Sequence, residues 1–402
     1  MQVAVIGGGA AGFFAALSVK EHRPDATVTI YEKSDKLLSK VRISGGGRCN
    51  VTHNEPVLSR LIKHYPRGAT FLRKAFTAFA VPDTIAWFQK HHVALKTEVD
   101  GRMFPVTDDS GTIVNALMEA AADRGVRIKL RSAVAHIDTV DRAFRLSING
   151  QWIEADKVIV TTGGHPKPEG YGWLADLGHR VVPPVPSLFT FNIPDDPIHG
   201  LMGVALPARV RIVGTSMEST GPVLITHWGL SGPAVLRLSA WGARDLNERA
   251  YRFTVQVNWV GGRSEDGLRS ILQTEAMAME RKAARNADPL HLPSRFWEYQ
   301  IIRAGIDPAQ PWGTVPRKSK NRLLDLLTND RYEVRGKTTF KEEFVTAGGV
   351  DLAEVDPMRM ESRLHKGLHF AGEVLDIDGI TGGFNFQAAW TTGFIAGRAA
   401  SG

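Results

Sequence analysis

The chain begins with an apolar run, Val3–Ile6, that ends in a glycine cluster and continues into a small-residue helix pattern. Gly7, Gly9 and Gly12 have the G-x-G-x-x-G spacing, and a second apolar run ends in Glu32. Such glycines permit a tight turn, a close backbone approach to a pyrophosphate, and close packing of helix on strand. The helix N-terminus attracts phosphates, and the acid can bind a ribose hydroxyl pair. Because strand, helix and acid agree, the pattern favours Rossmann-like dinucleotide binding over an ordinary tight turn.

Composition limits the chemistry that this chain can perform. Of 402 residues, 43% are hydrophobic and 23% are charged, and the single cysteine excludes an internal disulfide or a C-x-x-C redox pair. No apolar stretch is long enough to span a bilayer and no signal peptide precedes the first strand, so we expect a cytoplasmic protein. No metal is expected from the 13 histidines, because no Cys/His ligand set accompanies them. The net charge of +7 favours anionic ligands.

Hydrophobic patterning predicts an α/β fold in which one domain is interrupted by another. Residues 1–187 alternate strands with helices, residues 188–262 change to short β-like runs, and residues 263–330 become helical and basic. Near residue 340 a strand, a glycine loop and a helix return. We therefore predict a Rossmann-like domain of residues 1–187 and 340–402. Its insertion would have a β-rich part at 188–262 and 331–339 and a helical part at 263–330.

Several local elements follow from the same patterns. Apolar residues have helical spacing over 69–92, with a break at Pro82. The stretch 134–155 alternates in the manner of an antiparallel meander. The glycine cluster at 45–47 is typical of a loop, and the prolines of 183–186 indicate a domain boundary.

A strand and a helix near the C-terminus separate flavin from nicotinamide as the bound dinucleotide. Gly372 and Glu373 follow a strand, so the acid lies where open α/β sheets bind ligands and can accept a ribityl hydroxyl. Gly383, Phe384 and Asn385 begin a helix whose N–H groups can face the N1–C2=O edge of an isoalloxazine. The alternative is a plain helix start. Since no second G-x-G-x-x-G follows, the two motifs together favour FAD without a dedicated nicotinamide domain.

The glycine-rich segment Ser44–Asn50 is a further candidate cofactor contact. Its glycines let the backbone run against a flat ring. We expect Arg48 to contact the cofactor or an anionic substrate rather than to be a solvated surface residue. Cys49 is a tempting nucleophile, but a flavin disulfide reductase needs two thiols. We therefore predict that Cys49 is a small buried residue packed beside the flavin.

Two histidines are candidates for proton transfer. His227 lies between a strand and a glycine turn, and His53 follows Asn50 closely. Each can donate a proton at the flavin face, or can be a turn histidine bonded to backbone. The catalytic candidates are therefore His227, His53 and Arg48, and the residues alone do not decide among them.

The whole chain resembles the BaiN-like family of bacterial FAD proteins, which includes aminoacetone-oxidase-like enzymes. The motifs that carry the resemblance are Ile43–Asn50, Thr226–Pro233, Thr346–Val350 and Gly372–Gln387. The resemblance implies non-covalent FAD on a glutathione-reductase-like Rossmann domain, interrupted by a small β-barrel and a helical subdomain. It also implies that Val134 contacts adenine through its backbone and that the loop after the next buried strand passes near the cofactor.

The expected FAD contacts combine the motifs with this resemblance. They are Gly7, Gly9, Ala10, Ala11, Gly12, Glu32, Lys33, Lys40, Ser44, Gly45, Gly46, Gly47, Arg48, Cys49, Asn50, Val134, Thr161, Thr162, Gly163, Gly372, Glu373, Gly383, Phe384 and Asn385. The loop after Gly164 is shorter than the family's, and Ser39 stands where the family tends to have glycine. The resemblance therefore carries no substrate over to this chain.

These features predict an FAD-dependent oxidoreductase that transfers hydride to or from flavin N5. The expected substrate is a small organic molecule, with NAD(P)H as a transient reductant or oxygen as acceptor. One alternative is an RNA-modifying flavoprotein that uses the basic insertion, although no aromatic-interleaved RNA motif accompanies that charge. Another alternative is a non-catalytic flavin-binding redox protein. No membrane partner is expected, and the oligomeric state is left open.

Overall fold

The computed structural model describes residues 1–140, 143–338 and 345–402, apart from the side chains of residues 276 and 277. The strands are β1 (Gln2–Ile6), β2 (Thr27–Tyr31), β3 (Thr52–His53), β4 (Leu95–Thr97), β5 (Arg102–Pro105), β6 (Arg127–Lys129), β7 (Val134–Val140), β8 (Ala143–Ile148), β9 (Gln151–Ala155), β10 (Lys157–Val160), β11 (Val181–Ser187), β12 (Thr190–Asn192), β13 (Ala205–Ile212), β14 (Glu218–Thr226), β15 (Gly229–Ser231), β16 (Arg252–Asn258), β17 (Asp330–Arg335), β18 (Lys337–Thr338), β19 (Val345–Val350) and β20 (Leu368–Phe370). The helices are α1 (Ala10–His22), α2 (Ser39–Gly47), α3 (Leu58–Leu61), α4 (Ala69–Ala75), α5 (Val81–Lys90), α6 (Ser110–Asp123), α7 (Gly172–Asp176), α8 (Pro233–Trp241), α9 (Ala243–Glu248), α10 (Glu265–Met279), α11 (Ser294–Arg303), α12 (Arg317–Thr328) and α13 (Phe384–Ala400).

The described residues form two compact units, residues 1–187 with 345–402 and residues 188–338. The predicted boundary at residues 339 and 340 lies outside the described residues. The prolines of 183–186 lie inside β11 rather than in a linker, and β11 pairs antiparallel with β19. The register shifts between Val182 and Val185, and such an irregularity accommodates residues that lack the N–H of a regular ladder.

The first unit is organised by a five-stranded sheet with the order β20-β10-β1-β2-β6, and its neighbouring strands are parallel. Residues 3–6, 28–31 and 158–160 are buried, as expected for strands covered on both faces. Because the strands are parallel, their carboxyl ends share one edge of the sheet. That edge carries the loops after β1, β2, β10 and β20, which contain most of the predicted cofactor contacts.

Helix α13 closes the first unit by packing closely against α1. A Cβ added at Gly393 would lie 2.5 Å from the Ala11 carbonyl oxygen, and one at Gly397 would lie 2.2 Å from that of Ala15. Small residues at these positions therefore bring the two helices together. The C-terminal segment is thereby fixed against the first βα unit, as the return of a strand, loop and helix predicts.

Shorter elements in the first unit follow the sequence patterns with one difference. The predicted break between α4 and α5 lies at residues 76–80, just before Pro82, which is in the first turn of α5. The meander predicted at 134–155 is the antiparallel sheet β7-β8-β9. The difference is that helical turns of α2 precede the glycine cluster; at 45–47 itself the backbone is loop-like, as predicted, because it leaves helical geometry from Ser44 onward. Apolar residues before the glycines let the first turns of this helix form.

The second unit contains a seven-stranded sheet with the order β17-β16-β13-β14-β15-β12-β18. The two strands at the ends of this order are consecutive in the chain and are separated by Gly336. Helices α10, α11 and α12 supply part of the same buried core, including Leu268, Trp297 and Leu324. None of the helices in the described part of the chain is long and apolar enough to cross a membrane.

Candidate functional site

The loop after β1 has the geometry that a pyrophosphate requires. The Gly7 N–H donates to the Tyr31 carbonyl at 2.8 Å, which joins the loop to β2. A Cβ added at Gly12 would lie 2.0 Å from the Gly7 oxygen, so this position admits only glycine. A Cβ added at Gly9 would meet no atom of the described residues within 4 Å. The Gly7 backbone therefore occupies the space beside Gly12, whereas the space beside Gly9 is open to a ligand.

The N-terminus of α1 opens onto that space. Gly9 is its N-cap and has no side chain to cap the helix, and its carbonyl accepts from the Phe13 N–H at 3.0 Å. The N–H groups of the first helical turn, including those of Ala10 and Ala11, have no partner within a helix. A pyrophosphate can accept hydrogen bonds from them and is favoured by the helix dipole. These residues fit the phosphates of FAD.

Glu32, directly after β2, is held in place by its neighbours. Its Oε2 accepts from the Gly8 N–H at 2.9 Å, and its Oε1 accepts from the Ser34 N–H at 2.9 Å and from the Ser34 hydroxyl at 2.8 Å. A carboxylate offers roughly four acceptor sites, so Oε2 can still accept a ribose hydroxyl. Lys33 beside it is exposed.

The segment Ser44–Asn50 brings glycine backbone to the surface. Gly46 and Gly47 have positive φ values of 69° and 86°, and a Cβ added at either would meet nothing within 4 Å. Asn50, in the amide orientation that satisfies both groups, donates to the Thr52 carbonyl and accepts from the Gly383 N–H, each at 3.0 Å. Asn50 therefore links this segment to the start of α13.

Cys49 is fully buried, and its N–H donates to the Ser44 carbonyl at 2.9 Å. Burial raises the pKa of its thiol to about 12, so the sulfur stays protonated at neutral pH. A covered and protonated thiol supports the packing role over the nucleophilic one.

Arg48 is engaged by carboxylates that the sequence reasoning missed. Its guanidinium pairs with Glu98 at 2.7 Å and with Asp108 at 3.5 Å, and it lies 4.0 Å from the centre of the Phe104 ring. Glu98 is 50 residues away along the chain, and no local pattern indicates such a pair. These contacts occupy the Arg48 guanidinium with carboxylates and a ring of the first unit, and its contact with a cofactor or an anion stays a prediction.

The carboxyl end of β20 holds Glu373 between two elements. Its Oε2 pairs with Lys40 Nζ at 2.7 Å, and its Oε1 accepts from the Thr346 N–H at 2.7 Å. Lys40 and Glu373 are thus brought together by the fold although they lie 333 positions apart. The Thr346 hydroxyl is buried and, within the described residues, has no hydrogen-bond partner. Gly372 donates to the Thr392 hydroxyl at 2.9 Å.

The start of α13 is rigidly shaped. A Cβ added at Gly383 would lie 2.6 Å from the Thr52 carbonyl oxygen, so the helix begins in contact with β3. The Asn385 amide accepts from the Gly379 N–H at 2.8 Å and donates to its carbonyl at 2.9 Å. The N–H groups of the first turn remain without partners inside the helix, and they can face an electron-rich flavin edge.

Histidine rings stack beside the same helix start. The Phe384 ring lies 4.6 Å from His53 and 4.3 Å from His64, with both pairs stacked. His53 Nδ1 lies 3.1 Å from the Gly382 carbonyl oxygen, and burial lowers the pKa of this histidine, so it is neutral at neutral pH. No pattern in the sequence singles out His64. His227 is exposed at the turn between β14 and β15, in the second unit.

The remaining predicted contacts lie at the ends of strands. Thr161 follows β10 and donates through its hydroxyl to the Gly7 carbonyl at 2.9 Å, so it braces the first glycine loop. Thr162 and Gly163 continue this loop, and Gly163 has a positive φ of 75°. Val134 begins β7, where it pairs with Ile148 and is half-buried. The described residues contain no cluster of three or more His, Cys, Asp or Glu able to hold a metal ion.

Comparison with known proteins identifies the family to which this chain belongs. The family model of the HI0933-like protein Rossmann domain matches residues 1–399. The chain belongs to the HI0933-like family. It is 29% identical over 418 residues to a 3-dehydro-bile acid delta(4,6)-reductase of Clostridium scindens, covering 100% of this chain and 99% of that one. This relative confirms the predicted BaiN-like family and the oxidoreductase class.

Other relatives of this HI0933-like protein carry a different name. It is 30% identical over 406 residues to a ribosomal RNA dihydrouridine synthase of Escherichia coli, covering 98% of this chain and 96% of that one. Among solved structures, a 3-ketosteroid-delta4-(5alpha)-dehydrogenase from Rhodococcus jostii RHA1 is 13% identical, with a TM-score of 0.53 over 100% of this chain and 96% of that one. The likeness to this structure concerns the fold, and the predicted Rossmann-like FAD-binding domain is confirmed.

Proposed function

We propose that this protein is an FAD-dependent reductase of carbon–carbon double bonds conjugated to a carbonyl group, and that its substrate is a uracil base in RNA. The observation that carries the proposal is the similarity, over nearly the whole chain, to proteins named ribosomal RNA dihydrouridine synthase. The sequence favoured a small organic substrate and kept RNA as the alternative. The names of these relatives and the basic second unit reverse that preference.

The proposed cofactor is FAD, held without a covalent bond. The turn at Gly7, the N-terminus of α1 and Glu32 would hold the pyrophosphate and the adenosine ribose. Glu373 and the glycines of 45–47 would lie along the ribityl chain and ring, and the first N–H groups of α13 would stabilise negative charge at the N1–C2=O edge. Bound FAD supplies a hydride from N5 of its reduced form.

The proposed reaction balances as a two-electron reduction. In uracil, the C5=C6 bond is conjugated to the C4 carbonyl, so C6 accepts a hydride and C5 accepts a proton to give dihydrouracil. A 3-dehydro-bile acid with delta-4,6 unsaturation presents the same conjugated pattern, which explains how one family acts on both. The electrons come ultimately from NAD(P)H, as a co-substrate that leaves after reducing the protein-bound cofactor.

The start of α12 supports an anionic polymer as substrate. Its first turn contains Arg317, Lys318 and Lys320 and no acidic residue. Cations at a helix N-terminus oppose the helix dipole, so they lower the stability of the isolated helix. The same group of charges attracts phosphate strongly, and RNA binding depends mainly on such contacts. Further basic residues lie at Arg281, Lys282, Arg285, Arg295 and Arg322, all exposed.

The proposal extends to the organisation of the insertion. The seven-stranded sheet of the second unit would be the expected β-barrel. Its two end strands, β17 and β18, are consecutive in the chain, and they pair with β16 and β12 at opposite ends of the strand order. Residues 263–330 would be the helical part. The substrate would be held by this insertion, and cytoplasmic residence would give access to ribosomal RNA.

A free conjugated ketone is the second candidate substrate, favoured by the similarity to the bile acid reductase. The two candidates are separated by incubating the protein with NADPH or NADH and either unmodified ribosomal RNA or a conjugated dienone steroid. Mass spectrometry of the RNA digest is expected to show dihydrouridine, and the steroid is expected to remain unreduced. Reduction of the steroid alone would overturn the RNA proposal.

A further inference from the structure

The second unit contains a cavity of about 560 Å³. Ligand pockets in proteins typically measure about 300–1,000 Å³, so the cavity is large enough for one nucleotide. It lies within the second unit, between the loop that follows β16 and the loop that precedes α11. Its lining combines polar groups, including those of Arg263 and His291, with the apolar residues Leu206, Pro207, Val260, Leu290, Leu292 and Pro293.

The loop after β16 is held in a fixed shape by Asn258. This side chain is buried, and its oxygen accepts from the N–H groups of Val260 and Gly262, each at 3.1 Å. Its amide nitrogen donates to the Arg263 carbonyl at 2.8 Å. The buried Asn258 amide therefore fixes the backbone of this wall of the cavity, including that of Arg263.

The opposite loop is held in a similar way by Asp288. Its carboxylate accepts from the Leu290 N–H at 2.8 Å and from the Leu292 N–H. His291 lies between these two anchored residues and has a positive φ of 53°, and it lines the cavity. Both walls are therefore formed before any ligand binds, which lowers the entropic cost of binding.

Positive charge surrounds the mouth of the cavity. Arg263 lines it and is exposed, and no carboxylate pairs with its guanidinium in the part of the chain that the structure describes. Arg209 lies beside the same loop, 3.9 Å from a Cβ added at Gly262. The carboxylate of Asp288, in the opposite loop, is occupied by backbone N–H groups. The site thus joins an apolar cleft to unpaired cationic charge.

We infer that this cavity binds an unpaired RNA nucleotide other than the one that is reduced. Its planar base would enter the apolar cleft between the two loops, and its phosphate would bind Arg263. Unstacked bases are commonly inserted between apolar or aromatic side chains in RNA recognition. The inference rests on the proposed RNA substrate. Charges on α12 attract any RNA, whereas a contact with a base in this cleft would contribute specificity.

The test compares variants of the full-length holoprotein for binding to ribosomal RNA transcribed in vitro. Arg263→Gln removes the charge, and Ala205→Trp fills the cavity from an exposed position of β13 that lines it. Arg252→Gln is the matched control, because it removes the same charge at the other end of β16, roughly 20 Å from Asn258. We expect the first two variants to weaken RNA binding about tenfold and the control to change it less than about twofold.

A cross-linking experiment on the wild-type holoprotein tests the same point without a substitution. RNA that contains 5-iodouridine is expected to cross-link to peptides covering residues 258–263 or 288–293. If the wild type reduces RNA but the two cavity variants bind like the control and no cross-link maps to these loops, the cavity inference is wrong and the proposed function stands. If the wild type neither binds nor reduces RNA, both proposals are overturned.

Discussion

The two units present their candidate ligand sites by different means. In the first unit the site is mainly backbone: glycine turns and the starts of α1 and α13, with Glu32 and Glu373 as the main side chains. In the second unit the candidate contacts are mainly side chains, such as the exposed Arg263 and the basic first turn of α12. Backbone sites recognise one rigid group of fixed shape, whereas charged side chains suit a long and variable polymer. We therefore expect substitutions in the first unit to impair FAD binding without affecting RNA binding, and substitutions in the second unit to do the opposite.

The largest effect is expected from Gly9→Ala. The added Cβ has no protein neighbour within 4 Å and the backbone φ of −94° is ordinary, so the fold should survive. The methyl group would occupy the space of the pyrophosphate and lower FAD affinity by on the order of 100-fold. FAD titration followed by fluorescence measures this loss, and RNA binding should be unchanged.

The control for that variant is Gly172→Ala, which also adds a Cβ to open space, at a φ of −51°. It should bind FAD like the wild type. Equal FAD affinity in the Gly9 and Gly172 variants would show that the open space at Gly9 is not the phosphate site.

Removing the positive charges near the start of α12 should weaken RNA binding and leave FAD binding unchanged, the reverse of the Gly9 variant. Replacing Arg317, Lys318, Lys320 and Arg322 by Gln should weaken RNA binding roughly 30-fold at moderate salt and reduce its salt dependence by about 3 units of slope. FAD content should not change. Measuring affinity over a series of salt concentrations gives both values.

Four exposed basic residues of the first unit, Lys63, Arg73, Lys74 and Lys90, form the matched control set. Their replacement by Gln should leave RNA binding nearly unchanged. An equal loss in both sets would mean that RNA contacts are spread over the two units, and the division proposed here would be incorrect.

A smaller effect is expected from Glu32→Ala. Loss of the proposed charged hydrogen bond to the ribose costs about 1.5 kcal/mol, the low end of the usual range for such bonds, so FAD affinity should fall by about tenfold. Glu154→Ala, at an exposed position of β9, is the control. Unchanged FAD affinity in a titration of the Glu32 variant would show that this carboxylate does not hold the ribose.

The smallest effect is expected from Cys49→Ser. Burial raises the pKa of the thiol to about 12, so we expect it to stay protonated and not to act as a nucleophile at neutral pH. Bleaching of the bound flavin by NAD(P)H should change less than about twofold. Complete loss of flavin reduction with FAD still bound would restore a catalytic role for Cys49.

The sequence predicted best those features that depend on local backbone geometry. The spacing of Gly7, Gly9 and Gly12 reflects two local requirements, a tight turn and a close backbone contact. The loop proposed to bind the pyrophosphate could therefore be located from the sequence alone. Glu32 was predictable for the same reason, because it follows a strand at a characteristic distance. The break at Pro82 also follows from local chemistry, since proline favours the first turn of a helix.

Features that depend on distant side chains were not predictable. Arg48 pairs with Glu98, which lies in a different loop, and no sequence pattern relates the two loops. His64 stacks on Phe384, and neither local sequence indicates this contact. The strand that contains the prolines of 183–186 was not predictable, because its partner strand, β19, lies far away in the chain. A single sequence records local preferences, and these contacts are set by tertiary packing.

The central claim is that FAD bound by the first unit reduces a base in RNA. The most direct measurement is a single turnover: the holoprotein is reduced anaerobically, mixed with unmodified ribosomal RNA, and followed by flavin absorbance while the RNA is digested for mass spectrometry. The account predicts reoxidation of the flavin with formation of an equal amount of dihydrouridine. Flavin that stays reduced with RNA but is reoxidised by a conjugated ketone would contradict it.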